Sequence, residues 1–423
     1  MQPLPGFREL LPDDCARRNA IFASWRAVCR RYGFVEWDAP LLEPTELYTK
    51  KSGPEIVGQL FNFIDKGGRE VAMRPELTPS LARVVGGHER GFRKPLKWFS
   101  IPQCFRYEKQ QRGRLREHYQ LNCDLIGDDS RAAEVEVVSL AIDLLRDFGF
   151  RAEDFVVRLS DREFWTALLR QHDVPDDRWS ELLLVIDKSE REARDKTAER
   201  LGPLAAPVFA ALDGGGRSER LDEIVRELGR RGLADYVRVD LSIVRGLAYY
   251  TGVVFEVFDR SGKFRAIAGG GRYDNLIHQL SDGAVSLPAV GFAMGDVVLG
   301  ELIAEVPAAK EQLAGAVRQT KDLDLYLVIA KEERRENALA HLQKLRDAGW
   351  RVDYPLTPAK VGRQFQTAEA LGAKVTLLYG DEWPSVKMKT LATREETLVP
   401  HDEILARLVV RFADLRGAPA GSP

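Results

Sequence analysis

Beyond about residue 322 the chain changes rhythm, and that change constrains its fold more than any single residue does. Residues 325–330 are an apolar run, 332–348 carry a helical period, and 352–354 are strand-like. Pro358 then opens a helix that Gly372 closes, and 375–379 form a further apolar strand. Strand, helix, strand, helix, strand within about 90 residues specifies a small α/β domain.

The preceding residues follow another plan. Ile21, Phe22, Trp25, Val28, Cys29 and Tyr32 recur at helical spacing after Asp13, and Gly33 stands where a C-terminal cap belongs. A second helix is predicted over 130–148, with Val135, Val138, Ala141, Leu144 and Leu145 on one face. β-rich runs lie at 71–73, 98–107 and 118–126, and return at 236–242 and 251–258. Between these groups, 162–235 is densely charged and helix-patterned, broken by Gly214-Gly215-Gly216, and reads as an inserted helical subdomain. The fold class is therefore α+β: an antiparallel sheet flanked by helices, in two pieces at 1–161 and 236–305, with a helical insertion at 162–235. A linker without a strong period is expected at 306–321, the α/β domain at 322–415 and a disordered tail at 416–423.

Composition removes several classes of function. The 423 residues include 62 basic and 64 acidic side chains, a formal net charge of −2, which excludes a globally basic nucleic-acid binder but allows a local basic patch. No apolar run approaches the ~20 residues of a membrane-spanning helix, so no membrane role is expected. Cys15, Cys29, Cys104 and Cys123 are scattered without a C-x-x-C pair, which argues against a zinc site or disulfide framework and for reduced thiols. The opening residues resemble neither a signal nor a transit peptide, and cytoplasm is the expected compartment.

The densest chemistry lies between Arg106 and Glu117, where five positive and two negative side chains surround Gly113. A glycine there suits a tight connection between two strands. Arg106 and Glu108 would share one face of the incoming strand, and Arg114, Arg116 and His118 one face of the outgoing strand. Several guanidiniums on one sheet face make a forked receptor for phosphate. The competing reading is a solvated hairpin laced with surface ion pairs.

The wider pattern resembles the class II aminoacyl-tRNA synthetases and, among them, the histidyl-tRNA synthetase family. Arg74-Pro75-Glu76-Leu77-Thr78 is similar to that family's R-P-E-x-T segment, and 113–120 followed by Asp124 resembles the exit strand of its motif 2. Residues 244–252 and 268–274 are similar to its two histidine signatures, and 289–295 to the opening of motif 3. The segment containing Lys51-Ser52-Gly53 and the region 323–413 also follow the family layout. The resemblance implies a class II catalytic domain, a C-terminal anticodon-binding domain, and a homodimer meeting near Ala39-Pro40. It further implies activation of L-histidine with ATP and Mg2+ to histidyl-adenylate, followed by transfer to tRNA(His).

Carried over residue by residue, the resemblance implies that Arg106 and Arg245 hold the α-phosphate and act as the catalytic pair. It puts Glu108 near the adenine amino group, Arg114 at the phosphate tail and His118 against the adenine. Glu76, Thr78 and Gln120 would meet the α-amino group of histidine, and Asp124, Tyr249 and Tyr250 would wall the imidazole. Lys109 and Gln111 would touch the acceptor end of tRNA. Lys360, Arg363, Gln364, Lys387 and Lys389 are candidates for the anticodon side, where 321–423 carries sixteen basic and fifteen acidic side chains, a net of only +1.

Four positions depart from the pattern. The motif 3 arginine expected at the γ-phosphate is Val298, leaving Arg112, Arg116 or magnesium to take its place. Ala248 stands where the signature commonly has Asp, His118 where Phe is usual, and Asp124 where Glu is commoner. These departures keep a second reading open: a paralogue without aminoacylation that serves as the histidine-sensing regulatory subunit of ATP phosphoribosyltransferase. Such paralogues generally lack the anticodon-binding domain.

Overall fold

The computed structural model describes residues 2–50, 57–109, 113–245 and 249–411. The chain divides into two compact units, Met1–Leu313 and Ala314–Pro423. In the first, β1 (Val35–Glu36) precedes β2 (Leu42–Pro44), β3 (Phe61–Ile64) and β4 (Glu70–Met73), and the last three form a small sheet in the order β2-β4-β3. Then follow β5 (Leu96–Ser100), β6 (Gln103–Phe105), β7 (Glu117–Ile126), β8 (Phe155–Asp161), β9 (Val237–Val239), β10 (Val253–Asp259), β11 (Ala268–Arg272) and β12 (Ala289–Gly295). Among the described residues these join β1 in a nine-stranded sheet ordered β1-β5-β7-β12-β11-β10-β8-β9, with β6 paired to β7. The pairing is antiparallel except for β1 with β5 and β8 with β9 at the two edges.

Strand alternation decides which face becomes core and which becomes site. On β7, Leu121, Cys123 and Leu125 enter the main apolar core, so His118, Gln120 and Asp124 share the other face. On β12, Val290, Phe292 and Met294 enter that core and Gly291, Ala293 and Gly295 turn the other way. On β10, Val253, Phe255 and Val257 are core and Glu256 is not. The core is completed by helices Pro12–Arg31 and Arg131–Arg146. The first has Pro12 in its opening turn, Asp13 and Asp14 near its N-terminus, Arg30 and Arg31 near its C-terminus, and Gly33 at φ +75° just beyond. It buries Ile21, Trp25, Val28 and Cys29; truncating the fully buried Trp25 to alanine would cost about 3–5 kcal/mol.

The 162–235 stretch is helical, with Arg162–Gln171, Trp179–Lys188, Arg194–Leu201 and Glu219–Arg230 among its elements. Its apolar faces are continuous with the main core, which takes in Trp165, Ile186, Ile224 and Leu228. The 306–321 stretch, expected to be a linker without a strong period, is spanned by the helix Pro307–Lys321, and the unit boundary falls inside it. Ala309 is the buried residue of that helix, so helix-favouring composition formed it without an apolar period to announce it.

The second unit holds β13 (Leu325–Ile329), β14 (Val352–Asp353), β15 (Val375–Tyr379), β16 (Ser385–Thr390) and β17 (Glu396–Pro400), ordered β14-β13-β15-β16-β17. β13 pairs in parallel with β14 and β15, and helices Arg335–Asp347 and Val361–Ala370 lie between them in sequence. The antiparallel strands β16 and β17 and the closing helix Ile404–Arg411 are additions to the alternating pattern read from sequence. Lys51-Ser52-Gly53 and the tail at 416–423 lie outside the described residues.

Candidate active site

Two cavities share a set of lining side chains in the first unit. The smaller, about 290 Å3, is lined by Glu76, Thr78, Gln120, Asp124, Tyr249 and Tyr250. The larger, about 870 Å3, takes Glu108 into its wall. Arg106, Arg114, His118 and Arg245 line both, so Arg106 and Arg245, from distant stretches of sequence, share the junction.

The smaller cavity is built around two buried carboxylates. Tyr249 donates its hydroxyl to Glu76 Oε2 at 3.1 Å, and Tyr273 donates to Asp124 Oδ1 at 2.5 Å. The other oxygen of each, Glu76 Oε1 and Asp124 Oδ2, is buried without a hydrogen-bond partner among the described residues. Burial raises the Glu76 carboxyl above its ordinary range despite the pull of Arg106, Tyr249 and Arg245. Burial also pushes Asp124 up to about 7, against the Tyr273 hydrogen bond. Unpaired buried acceptors of this kind are costly in the empty protein and favour a ligand that brings donors or positive charge. His118 is pushed down to about 4 by burial and by Arg106, so its imidazole is neutral at pH 7 and faces Gln120 Oε1 at 3.3 Å.

Glycines in register with the polar side chains make this crowding possible. Asp124 pairs across the sheet with Gly291, and a side-chain carbon there would lie 2.1 Å from Asp124 Oδ1. Glu256 pairs with Gly269, where a side-chain carbon would lie 1.8 Å from Arg245 Nη1. Part of the run at 268–272 thus serves to admit the Arg245 guanidinium, which donates to Glu256 Oε1 at 2.6 Å. Arg245 itself adopts φ +61°, an uncommon left-handed conformation for a side-chain-bearing residue. Asp187 Oδ1, from the helix Trp179–Lys188, accepts the Arg245 amide at 2.7 Å and that of Val244 at 3.2 Å, holding the backbone in place. Arg106 is aimed by its Nε, which donates to the Pro75 carbonyl at 2.9 Å.

Other expectations fare differently. β6 ends at Phe105, so Arg106 and Glu108 follow the strand, and Arg114 and Arg116 precede β7. Arg116 does not share the destination of Arg114: it stacks 4.2 Å from the Tyr107 ring centroid and donates to the Glu108 carbonyl. Glu108, expected at an adenine amino group, is 2.6 Å from Arg114 Nη1. Lys109 is exposed and lines neither cavity, while Gln111, Arg112 and Ala248 lie outside the described residues. In the second unit Gln364 is buried and bonded to both the amide and the carbonyl of Ile329, so its amide group is unavailable to RNA. Lys360 and Arg363 are exposed; Lys387 and Lys389 pair with Glu382 and Glu396. Sequence reasoning left out Tyr273, Glu256 and Asp187. Alternation along β10 could have marked Glu256 as facing away from the core, but nothing local marks Asp187.

Among the described residues no three His, Cys, Asp or Glu side chains cluster as a metal site. The carboxylates of the larger cavity each have partners: Glu108 with Arg114, Glu190 with Arg158, Glu256 with Arg245, and Asp187 with the amides of Val244 and Arg245. This donor set does not fit a resident Mg2+, so any magnesium would arrive on the phosphates of a nucleotide.

The fold is shared with solved histidyl-tRNA synthetases: the apo enzyme of S. aureus superposes with TM-score 0.71 at 23% identity, covering 96% of this chain and 99% of that one. Histidyl-tRNA synthetase from Nostoc sp. PCC 7120 gives 0.73 at 20% identity, covering 97% and 99%. An ATP phosphoribosyltransferase regulatory subunit/histidyl-tRNA synthetase from Bacillus halodurans gives 0.70 at 22%, covering 87% and 96%, so fold alone does not separate the two readings. Sequence is more specific. Residues 6–232 and 203–296 match the histidyl-tRNA synthetase family and 324–411 match the anticodon binding domain. Histidine–tRNA ligase of Opitutus terrae is 44% identical over 96% of this chain and 97% of its own. The chloroplastic/mitochondrial histidine–tRNA ligase of Arabidopsis thaliana is 38% identical over 94% and 84%. The chain belongs to the histidyl-tRNA synthetase family.

Proposed function

We propose that the chain is a histidine–tRNA ligase, which activates L-histidine with ATP and passes the histidyl group to tRNA(His). The observation that carries this reading is the pair of buried, unpartnered oxygens, Glu76 Oε1 and Asp124 Oδ2, in a small cavity joined to an arginine-lined one. Histidine brings complementary groups: an ammonium for one carboxylate and an imidazole N–H for the other. Its own carboxylate then faces the junction, where Arg106 and Arg245 stand.

The chemistry follows from that placement. A carboxylate oxygen of histidine attacks the α-phosphorus of ATP, the bond to the bridging oxygen breaks, and pyrophosphate leaves into the larger cavity. Arg106 and Arg245 offset the negative charge that gathers on the α-phosphate, with orientations fixed beforehand by Pro75, Glu256 and Asp187. No side-chain nucleophile is required, because the substrate carboxylate and later a tRNA ribose hydroxyl do the attacking. A buried polar pocket also rejects amino acids that leave its acceptors unpaired.

The finer parts of the reading are a Mg2+ carried by the nucleotide, a homodimer meeting near Ala39-Pro40, work in the cytoplasm, and contact of Lys109 and Gln111 with tRNA. Among the described residues no helix is long and apolar enough to cross a membrane. The regulatory-subunit reading is weakened by the match at 324–411 to the anticodon binding domain. Histidine-dependent ATP–pyrophosphate exchange tests the proposal, repeated with the phosphoribosyltransferase partner present. Exchange with histidine alone supports a ligase; absent exchange with histidine-sensitive activation of the partner would establish the regulator.

A further inference from the structure

The larger cavity must accept the two phosphates that leave as pyrophosphate, and the side chains at its end away from histidine decide how. Arg106, Arg114 and Arg245 line both cavities and so belong to the junction. Arg158, Arg191 and Arg265 line the larger cavity and not the smaller. Arg158 is committed: its guanidinium meets Asp240 at 2.8 Å, Glu190 at 2.9 Å and Ser242 at 3.0 Å. Val298 is also in this wall and cannot pair with an anion.

Arg265 stands beside Val298. A side-chain carbon built on Gly113 would lie 3.3 Å from Val298 Cγ2 and 4.0 Å from Arg265 Cδ, so both side chains abut one point on the opposing turn. Valine stops there, while the arginine stem carries a guanidinium onward. Arg265 lies where positive charge is already dense: burial and the nearby Arg114 and Arg191 lower its pKa, and Glu108 opposes them. An anion arriving among these cations would relieve that repulsion. Arg116, the substitute considered from sequence, is occupied with Tyr107 and the Glu108 carbonyl and lines neither cavity.

We propose that Arg265 binds the terminal phosphates of ATP, and the pyrophosphate product, taking over the cationic role that Val298 cannot fill. This rests on the ligase reading and extends it to a residue outside the sequence motifs. A phosphate-tail contact acts on ATP and pyrophosphate but not on AMP, which separates it from a general structural role.

The experiment is ATP–pyrophosphate exchange with the full chain carrying Arg265→Ala, Arg265→Lys or Arg191→Ala, together with inhibition by AMP. Losing a charge-assisted hydrogen bond should raise KM for ATP and for pyrophosphate in Arg265→Ala by about ten- to a hundredfold. Inhibition by AMP and KM for histidine should stay within about twofold, which also certifies the fold. Arg265→Lys, keeping the charge, should recover part of the loss. The proposal is overturned if Arg265→Ala leaves ATP and pyrophosphate unaffected, if AMP weakens in parallel, or if lysine does no better than alanine. It is overturned equally if Arg191→Ala carries the loss and Arg265→Ala does not. Wild-type protein without histidine-dependent exchange would remove the ligase reading and this proposal together, an outcome visible before any variant is made.

Discussion

The two cavities solve opposite electrostatic problems with the same sheet. In the smaller, carboxylates are buried with one oxygen each left over, and their proton affinity is raised by lost hydration. In the larger, charge is abundant and mostly paired, arginine against glutamate: Arg114 with Glu108, Arg158 with Glu190 and Arg245 with Glu256. The first arrangement favours discrimination, because a wrong ligand leaves an acceptor empty in a dry site. The second favours tolerance of highly charged cargo and its release. Arg106 and Arg245 line both cavities, where the proposed function puts the reacting carboxylate and α-phosphate.

The sharpest way to break this division is at the junction. Arg245→Ala should cut adenylate formation by at least ~10², the scale of losing one charge-stabilising donor, in a single-turnover assay. Near-wild-type turnover would remove Arg245 from the reaction. Gly269→Ala should approach a similar loss, up to ~10² in kcat, because the new methyl displaces the Arg245 guanidinium while the flexible arm lets the fold survive. Thermal unfolding alongside kinetics checks this: a large fall in Tm would show that the glycine serves packing instead.

Within the smaller cavity, Glu76→Gln and Asp124→Asn should each raise KM for histidine by about 10- to 100-fold and leave KM for ATP near wild type. Equal effects on both substrates would erase the distinction between the two cavities. The smallest effect is in pH. Asp124 has a raised value of about 7, so its contribution to the stability of the unliganded protein is complete below the ordinary carboxylate range and is lost as pH rises through 7. Histidine binding should run the other way, tightening by about tenfold from pH 6 to 8 as the carboxylate forms. Calorimetric titration of Asp124→Asn should lose the part of that trend that is not the ligand's own.

Much of this site was legible because its chemistry recurs at fixed spacing. The family resemblance named Glu76, Thr78, Gln120, Asp124, Tyr249 and Tyr250 from separate stretches, and one cavity is lined by all six. What could not be read depends on contacts between remote segments. Asp187 sits near the end of a helix whose apolar run marks a packing face and not a partner for Arg245, and nothing next to Tyr273 in the sequence names Asp124 as the partner of its hydroxyl. The Pro307–Lys321 helix escaped because it buries almost nothing, and Gln364 misled because an amide side chain advertises hydrogen bonding without saying to what.

The clamp from Asp187 onto the main chain at Arg245 has an implication for exchanging parts among relatives. Peripheral helices are usually treated as interchangeable trim, free to grow, shrink or be grafted. Here one such helix end holds the main chain where Arg245 takes its left-handed turn, so, on the proposed function, a graft that shifts it by a single turn would leave every motif intact and still disarm the enzyme.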